Sequence, residues 1–321
     1  MLLAGDIGGT KSRLAIFADR SDPRRPLAEE ILTSADYPGI EALIRAFLDR
    51  TTLTADRACL AIAGPVLHNW ASVTNLPWVA EAETLCRAFG FRSVRLLNDI
   101  AATARAVPLL QPREIHTLCS GEPDEQGTVA VIAPGTGLGE AFLICRGTER
   151  LEHASEGGHA DFAPVNALES ELLDELRKAL DHVSYERLCS GPGIGRLYRF
   201  LKEQAPEKEP SWLAQRLAGT DDPAPVIVDA ALQDQSALCI RTVDLFCSIL
   251  GAEAGNLALK VLSTGGVFIG GGIAPKILPF LEQGAFLAAF RQKGRMGGLL
   301  LRMPVYVILS ERAALIGAAS E

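Results

Sequence analysis

Two stretches of the sequence decide the fold: L-L-A-G-D-I-G-G-T-K-S-R-L-A-I-F at residues 2–17 and V-A-V-I-A-P-G-T-G-L-G-E-A-F-L-I at residues 129–144. In each, one apolar run precedes a glycine-rich turn and a second apolar run follows it. Short apolar runs bounded by turn residues are typical of buried strands, and glycine permits the turn between them. The sequence therefore predicts one strand–turn–strand hairpin in each half of the chain.

Outside the hairpins, apolar patterning predicts the remaining elements. Further strands are predicted at residues 30–33, 58–63, 94–97, 267–269 and 304–309, and helices at 38–50, 80–89, 100–107, 167–180, 193–202, 236–261 and 312–319. This order predicts an α/β protein with two similar lobes and a ligand in the cleft between them. The last strand and helix have no partner nearby in sequence, so we expect them to return to the first lobe.

Composition excludes several classes of protein. The 321 residues are 48% hydrophobic and 22% charged, which is far from the composition of a disordered chain. The formal charge of 31 − 39 = −8 excludes nucleic-acid binding through bulk charge. No apolar stretch approaches the ~18 residues of a membrane span, and the first residues do not resemble a signal peptide. We therefore expect a cytoplasmic protein that binds neither nucleic acid nor membrane.

The cysteines give no sign of a disulfide framework or a zinc site. Their number is odd and none form a C-x-x-C pair, so we predict that they are reduced and that the protein holds no zinc. The seven are Cys59, Cys86, Cys119, Cys145, Cys189, Cys239 and Cys247.

Both glycine hairpins could hold phosphate, because backbone N–H groups approach an anion closely where no Cβ intervenes. Ordinary hairpin turns are the alternative reading. Asp6 lies in the first turn, where a carboxylate repels phosphates unless Mg²⁺ stands between them, usually through water. Neither turn has the spacing of a Walker loop or a dinucleotide fingerprint. The triple glycine at residues 270–272 offers similar backbone access to a base or ribose, with helix–strand packing as the alternative.

Two polar groups could carry chemistry. Asn98 and Asp99 end a predicted buried strand, where they could serve a reaction or merely cap the next helix. Glu156, His159 and Glu186 lie among glycines, and such side chains suit the hydroxyls of a polyol. A surface loop without function is the alternative for this second group, and the residues alone leave both questions open.

Taken together in order, the motifs are similar to those of the bacterial glucokinases of the hexokinase–actin–Hsp70 superfamily, in the branch without the zinc motif. The resemblance runs essentially from end to end. Its motifs are G-D-I-G-G-T at 5–10, T-N-L-P-W at 74–78, L-N-D at 97–99, G-T-G-L-G at 135–139, E-G-G-H-A-D-F-A-P at 156–164, Y-E-R-L-C-S-G-P-G at 185–193 and G-G-V-F-I-G-G-G-I-A-P at 265–275.

The resemblance implies two ribonuclease-H-like (actin-like ATPase) lobes, the small one formed by residues 1–109 and 302–321 and the large one by residues 110–301. It implies ATP-dependent phosphorylation of D-glucose to glucose 6-phosphate, with ATP and Mg²⁺, in a homodimer. Asp99 would be the general base for the 6-hydroxyl and would also contact glucose, together with Asn98, Glu156, His159 and Glu186. The implied ATP and Mg²⁺ residues are Gly5, Asp6, Ile7, Gly8, Gly9, Thr10, Gly135, Thr136, Gly137, Gly271 and Gly272.

Three alternatives follow from the same scaffold. A kinase for fructose, mannose or N-acetylglucosamine would share every motif. A non-catalytic sugar or ATP sensor acting as a repressor would need a DNA-binding extension, and the first glycine loop begins at residue 5. A filament-forming ATPase would lack the polar residues expected to bind sugar. Lys11 and Gly64 stand where the family usually has Asn and often Cys, which puts only fine nucleotide contacts in doubt.

Overall fold

The computed structural model describes residues 1–204 and 209–321. These residues form two compact units. The first comprises Met1–Glu114, Ala141–Ala154 and Ser310–Glu321, and the second comprises Ile115–Glu140 and Ser155–Leu309.

The N-terminal segment of the first unit contains eight strands and three α-helices. In chain order they are β1 (Leu2–Ile7), β2 (Lys11–Phe17), β3 (Ala28–Thr33), α1 (Ile40–Thr51), β4 (Arg57–Ile62), β5 (Val66–Leu67), β6 (Trp70–Ser72), β7 (Val79–Glu81), α2 (Ala82–Phe89), β8 (Ser93–Asn98) and α3 (Asp99–Ala106).

The first sheet has the strand order β3-β2-β1-β4-β8. β1, β2 and β3 form an antiparallel meander, and β4 and β8 extend the sheet in parallel from β1. Both faces of the sheet are covered, because alternate residues of a strand point to opposite sides. Leu3 and Leu60 pack in the core that contains Phe47 of α1, whereas Ala4 and Cys59 lie in the other core.

The rest of the chain contains six strands and nine α-helices among the described residues. They are β9 (Ile115–Cys119), β10 (Val129–Pro134), β11 (Leu138–Arg146), β12 (Glu149–Ser155), α4 (Ala167–Arg177), α5 (Gly191–Gln204), α6 (Ser211–Ala218), α7 (Ala224–Leu232), α8 (Ala237–Val261), β13 (Gly266–Ile269), α9 (Leu278–Glu282), α10 (Ala285–Arg291), α11 (Gly297–Leu300), β14 (Val305–Ile308) and α12 (Ala313–Ala319).

The second sheet repeats the topology of the first. Its order is β12-β11-β10-β13-β14-β9. As in the first sheet, three strands that are consecutive in sequence lie side by side, and two later strands extend the sheet from the first of those three. β13 and β14 are parallel to β10, and β9 is an added antiparallel edge strand. The predicted α/β fold class is confirmed, and both sheets have the strand order that the ribonuclease-H-like prediction requires.

The long helix predicted at residues 236–261 is confirmed as α8, which packs along α10. Gly251 and Gly255 face the backbone of α10, where a Cβ would overlap the carbonyl oxygens of Phe286 and Phe290. Although α8 is long, no helix among the described residues has the length and apolar character needed to cross a bilayer.

The end of the chain divides differently from the predicted lobes. Residues 302–321 were expected to join the small lobe as one piece, but β14 is hydrogen-bonded to β13 and β9 in the second sheet. Only the segment from Ser310 onward, with α12, belongs to the first unit, where α12 packs on α3 and β1. Val305 and Val307 are fully buried in the second core, which explains why this strand stays there. Ala141–Ala154, which lie inside the predicted large lobe of residues 110–301, also belong to the first unit.

Candidate active site

The first glycine hairpin joins β1 to β2. The Gly8 N–H donates to the Lys11 carbonyl at 3.2 Å, and the Ser34 hydroxyl donates to the Gly8 carbonyl at 2.7 Å. A Cβ on Gly8 would lie 2.8 Å from the Lys11 oxygen, and one on Gly9 would lie 2.9 Å from the Thr74 oxygen. The turn therefore has room only for glycine at these two positions, and it ends at the exposed Thr10.

Asp6 lies at the end of β1, opposite Arg13 of β2. Burial raises the pKa of the Asp6 carboxyl to about 6, an effect that the positive charge of Arg13 partly offsets. Arg13 itself is engaged by Glu29 at 2.7 Å. An additional cation would favour the ionised form of Asp6, so this carboxyl fits the predicted contact with Mg²⁺ through water.

Asn98 and Asp99 lie at the junction of β8 and α3. The side-chain oxygen of Asn98 accepts hydrogen bonds from the N–H groups of Ile100 at 3.0 Å and Ala101 at 3.1 Å, and its amide donates to the Gly64 carbonyl at 3.1 Å. Asn98 is therefore the helix cap, and Asp99 is the first residue of the helix. One Asp99 oxygen accepts from the Ile100 N–H at 2.9 Å.

Gly64 supports this junction with a backbone that other residues rarely adopt. Its φ is +144°, and a Cβ would lie 2.5 Å from the Ser72 carbonyl oxygen. This backbone conformation is the local reason for glycine at position 64, where the family often has Cys.

The second glycine hairpin joins β10 to β11 in the second unit. The Gly135 N–H donates to the Gly137 carbonyl at 2.8 Å, and the Gly191 N–H at the start of α5 donates to the Gly135 carbonyl at 2.8 Å. Apart from the glycine itself and its two chain neighbours, no heavy atom of the described residues lies within 4 Å of the position that a Cβ on Gly135 would occupy. The hairpin therefore has an open face beside the first turn of α5.

This open face borders a large cavity within the second unit. The cavity has a volume of about 1460 Å³, and its lining includes Thr136 of the hairpin and Gly272. Gly271 has φ +77°, and a Cβ there would overlap the Pro134 carbonyl oxygen at the end of β10. The structure thus brings the second hairpin and the triple glycine together around one cavity.

Basic residues in this cavity were not singled out from the sequence. Arg196 and Arg199 of α5 and Lys276 line it. The Arg196 guanidinium donates to the Arg187 carbonyl at 3.1 Å, and burial, together with the neighbouring Arg187 and Arg199, lowers its pKa. The sequence did contain a signal for them. The two arginines follow S-G-P-G and are three residues apart, a spacing that places both on one side of a helix.

Three of the predicted sugar ligands meet in the second unit. The His159 ring lies between two carboxylates, with Nε2 3.9 Å from Glu156 and Nδ1 3.8 Å from Glu186. The side chains of Glu156 and His159 are more than half exposed, whereas that of Glu186 is 27% exposed. The cluster therefore presents two acids and one imidazole to solvent.

Glu186 connects this cluster to the second hairpin. One Glu186 oxygen accepts from the Leu138 N–H at 3.0 Å, and a Cβ on Gly137 would overlap the same oxygen. The position of the carboxylate and the course of the hairpin therefore depend on each other, although 48 residues separate Leu138 and Glu186.

The predicted residues thus fall into two groups, one in each unit. Asp6, the first hairpin, Asn98 and Asp99 belong to the first unit, and the acid–histidine cluster, the second hairpin and the triple glycine belong to the second. Over residues 1–204 and 209–321, no three His, Cys, Asp or Glu side chains are grouped to hold a metal. All seven cysteines are free thiols.

Comparison with known proteins identifies the family. The glucokinase family model matches residues 3–321. A glucokinase from Nostoc punctiforme is 42% identical over 334 residues, covering 99% of this chain and 98% of the relative. The crystal structure of a glucokinase from an Antarctic psychrotroph has a TM-score of 0.84 at 35% identity and covers 99% of this chain and 97% of its own.

A more distant neighbour shares the fold alone. It is a ROK family glucokinase from Streptomyces griseus, solved with glucose and AMPPNP, with a TM-score of 0.66 at 20% identity and coverage of 99% and 98% of the two chains. The full-length family match and the relatives at 35% and 42% identity agree with the ordered motifs, and the chain therefore belongs to the glucokinase family.

Proposed function

We propose that this protein transfers the γ-phosphoryl group of ATP to the 6-hydroxyl of D-glucose. The observation that carries the proposal is the meeting of Glu156, His159 and Glu186 beside the second glycine hairpin, in a chain that belongs to the glucokinase family. This arrangement places groups suited to hydroxyls next to a turn suited to phosphate.

Glucose would be held by the acid–histidine cluster. Carboxylates accept hydrogen bonds from sugar hydroxyls, and bonds to charged groups are stronger than those between neutral groups. His159 can donate or accept one further bond. Asn98 would contribute its amide, which already donates one hydrogen bond to Gly64 and has a second hydrogen to offer.

Asp99 is proposed as the general base. It would accept the proton of the 6-hydroxyl as that oxygen attacks the γ-phosphorus in line and the bond to the β-phosphate oxygen breaks. Because Asn98 caps α3, the helix start does not rely on Asp99 for that role.

ATP would be held by backbone groups and by the cavity of the second unit. The two hairpins would place the phosphates, and Gly271 and Gly272 would allow close approach of the adenosine. The distant relative solved with AMPPNP and glucose supports the use of this fold for both ligands.

Mg²⁺ is proposed to accompany ATP, with Asp6 holding it through water. When bound, it neutralises charge on the phosphates. Mg²⁺ commonly keeps several waters and needs only one or two carboxylates, so a single acid at this position suffices. Zinc has no proposed role, and the homodimer and the cytoplasmic location stay predictions from the sequence and the family resemblance.

A coupled ADP-release assay with a panel of hexoses tests the proposal. We expect turnover with glucose and ATP to exceed that with fructose, mannose and N-acetylglucosamine. A preference for another hexose would reassign the substrate and keep the kinase reaction. Binding of sugar and ATP without any ADP release would refute the enzyme and favour a sensor.

A further inference from the structure

Two acids are buried in the second unit, and one of them contacts the turn that carries Glu156 and His159. Glu140 on β11 is 1% exposed, and Glu253 on α8 is fully buried. Each has one buried carboxyl oxygen, Oε1, with no hydrogen-bond partner among the described residues. An ionised carboxylate only accepts hydrogen bonds, so a proton shared by the two acids would satisfy both buried oxygens.

The surroundings decide which member keeps it. Glu253 accepts from the Asn256 amide at 2.9 Å and lies 3.5 Å from the Lys260 ammonium. Glu140 Oε1 is buried and has no hydrogen-bond partner among the described residues. Burial and the charge of Glu253 raise the pKa of Glu140 to about 8. Glu140, which has no such donor or cation beside it in the described part of the chain, is the better site for a shared proton.

Glu140 also touches the sugar-binding turn. A Cβ on Gly157 would overlap Glu140 Oε2, and a Cβ on Gly158 would overlap the Leu138 carbonyl oxygen. β11 thus forms the floor under residues 156–159, with Glu140 in direct contact with the residue that follows Glu156. The Glu140 carboxyl therefore packs against the backbone of the turn.

We propose that Glu140 shares a proton with Glu253 across their unpartnered buried oxygens, and that it thereby acts as a positioning residue that holds the 156–159 turn in its sugar-binding geometry. The proposal rests on the function proposed above, and it concerns a side chain that the reaction itself does not use. Loss of the proton would leave two carboxylates in contact without water. Such a buried, unpaired charge is strongly unfavourable, and the contact with Gly157 must open to admit water.

Other titrating groups face the pair and must be separated from it. Lys260 lies on the same helix as Glu253, and Lys293 donates to Asn256 Oδ1 at 2.6 Å. The remaining neighbours that influence the pair or its surroundings are Glu169 of α4, the Tyr185 hydroxyl and the Cys189 thiol. On the solvent side stand Glu156, His159 and Glu186, so pH dependence alone would not identify Glu140.

The experiment compares the wild type with Glu140→Gln and Glu253→Gln between pH 6.5 and 9.5. If only the protonated pair binds sugar well, the wild-type KM for glucose should rise about tenfold from pH 7 to pH 9, because each pH unit above a pKa lowers the protonated fraction tenfold. The kcat should change less than about twofold, since Glu140 touches no reacting atom.

Glu140→Gln keeps a hydrogen-bond donor for Glu253 and cannot ionise, so its KM should stay at the wild-type pH 7 value throughout. Glu253→Gln removes the charge that favours the proton on Glu140, so the rise should begin at lower pH. Gly157→Ala is the control for a displaced turn, and it should raise the KM at every pH.

Equal pH dependence in the wild type and Glu140→Gln would overturn the proposal, as would a flat wild-type profile. If Glu140→Gln does not fold, Glu253→Gln provides the test instead. A rise of its KM for glucose at the same pH as in the wild type would also overturn the proposal. Amide hydrogen exchange at residues 155–160 needs no turnover, so it tests the pair even if the proposed reaction fails. We expect faster exchange in the wild type than in Glu140→Gln at pH 9 and equal exchange at pH 6.5, and equal rates at both would also overturn the proposal.

Discussion

Replacing Asp99 with Asn separates a catalytic role from a structural one at the start of α3. Asn keeps a side-chain oxygen to accept the Ile100 N–H, so the contact recorded at 2.9 Å can persist. The change removes a negative charge at the helix N-terminus, which is worth about 0.3–1 kcal/mol. We therefore expect Asp99→Asn to stay within about 1 kcal/mol of the wild-type stability.

The effect on the reaction should be much larger. A positioned general base contributes roughly 10²–10⁴ in rate, which corresponds to about 2.7–5.5 kcal/mol of activation free energy. Asp99→Asn should lose turnover by that factor and keep its glucose affinity within about threefold. The assay is coupled ADP release at saturating ATP, with calorimetric glucose binding and thermal unfolding on the same preparations.

Asn98→Ala is the matched control, because Asn98 is the residue that caps the helix. It loses two accepted hydrogen bonds and one donated to Gly64, and loss of a cap costs about 0.5–2 kcal/mol. Its unfolding temperature should fall more than that of Asp99→Asn. Turnover of Asp99→Asn within about fivefold of the wild type would refute the assignment of Asp99 as the base.

Four further predictions address the second unit and the metal. Glu156→Ala should raise the glucose KM about 10–150-fold, from ~1.5–3 kcal/mol per charge-assisted hydrogen bond, without changing ATP affinity measured by calorimetry. Glu186→Ala should weaken both ligands, because Glu186 also holds the Leu138 N–H; unchanged ATP binding would contradict that link. Folding raises the pKa of Glu140 from 4.5 to about 8. Between these two values the folded protein keeps a proton that the unfolded chain releases, so the folded protein loses stability as the pH rises from 4.5 to about 8. The difference in unfolding temperature between Glu140→Gln and the wild type should therefore increase from pH 5 to pH 8. At pH 7 this difference should correspond to about 3 kcal/mol of unfolding free energy. A difference that does not change with pH would argue against a buried proton. Elemental analysis of protein purified without added metal should find no stoichiometric zinc, and one tightly held Zn²⁺ per chain would place the chain in the other branch.

The sequence alone predicted the features that local patterning encodes. Both glycine hairpins follow from apolar runs on either side of a turn, and α8 follows from its long apolar helical segment. The N-terminal meander and the repeat of its pattern at residues 129–144 were enough to predict two similar α/β cores. The resemblance of ordered motifs then predicted the family.

Only the tertiary structure decided the pairings between distant segments. The hydrogen bond of Glu186 with Leu138, the contact of Glu140 with Gly157 and the packing of β14 between β13 and β9 join residues far apart in sequence. Such contacts depend on how whole strands and helices pack against each other. A short stretch of sequence therefore cannot predict them. The buried Glu140 shows this most clearly. The alternating pattern of a strand would predict an apolar side chain at this position. Burial of a glutamate there requires a polar partner, which a distant part of the chain must supply.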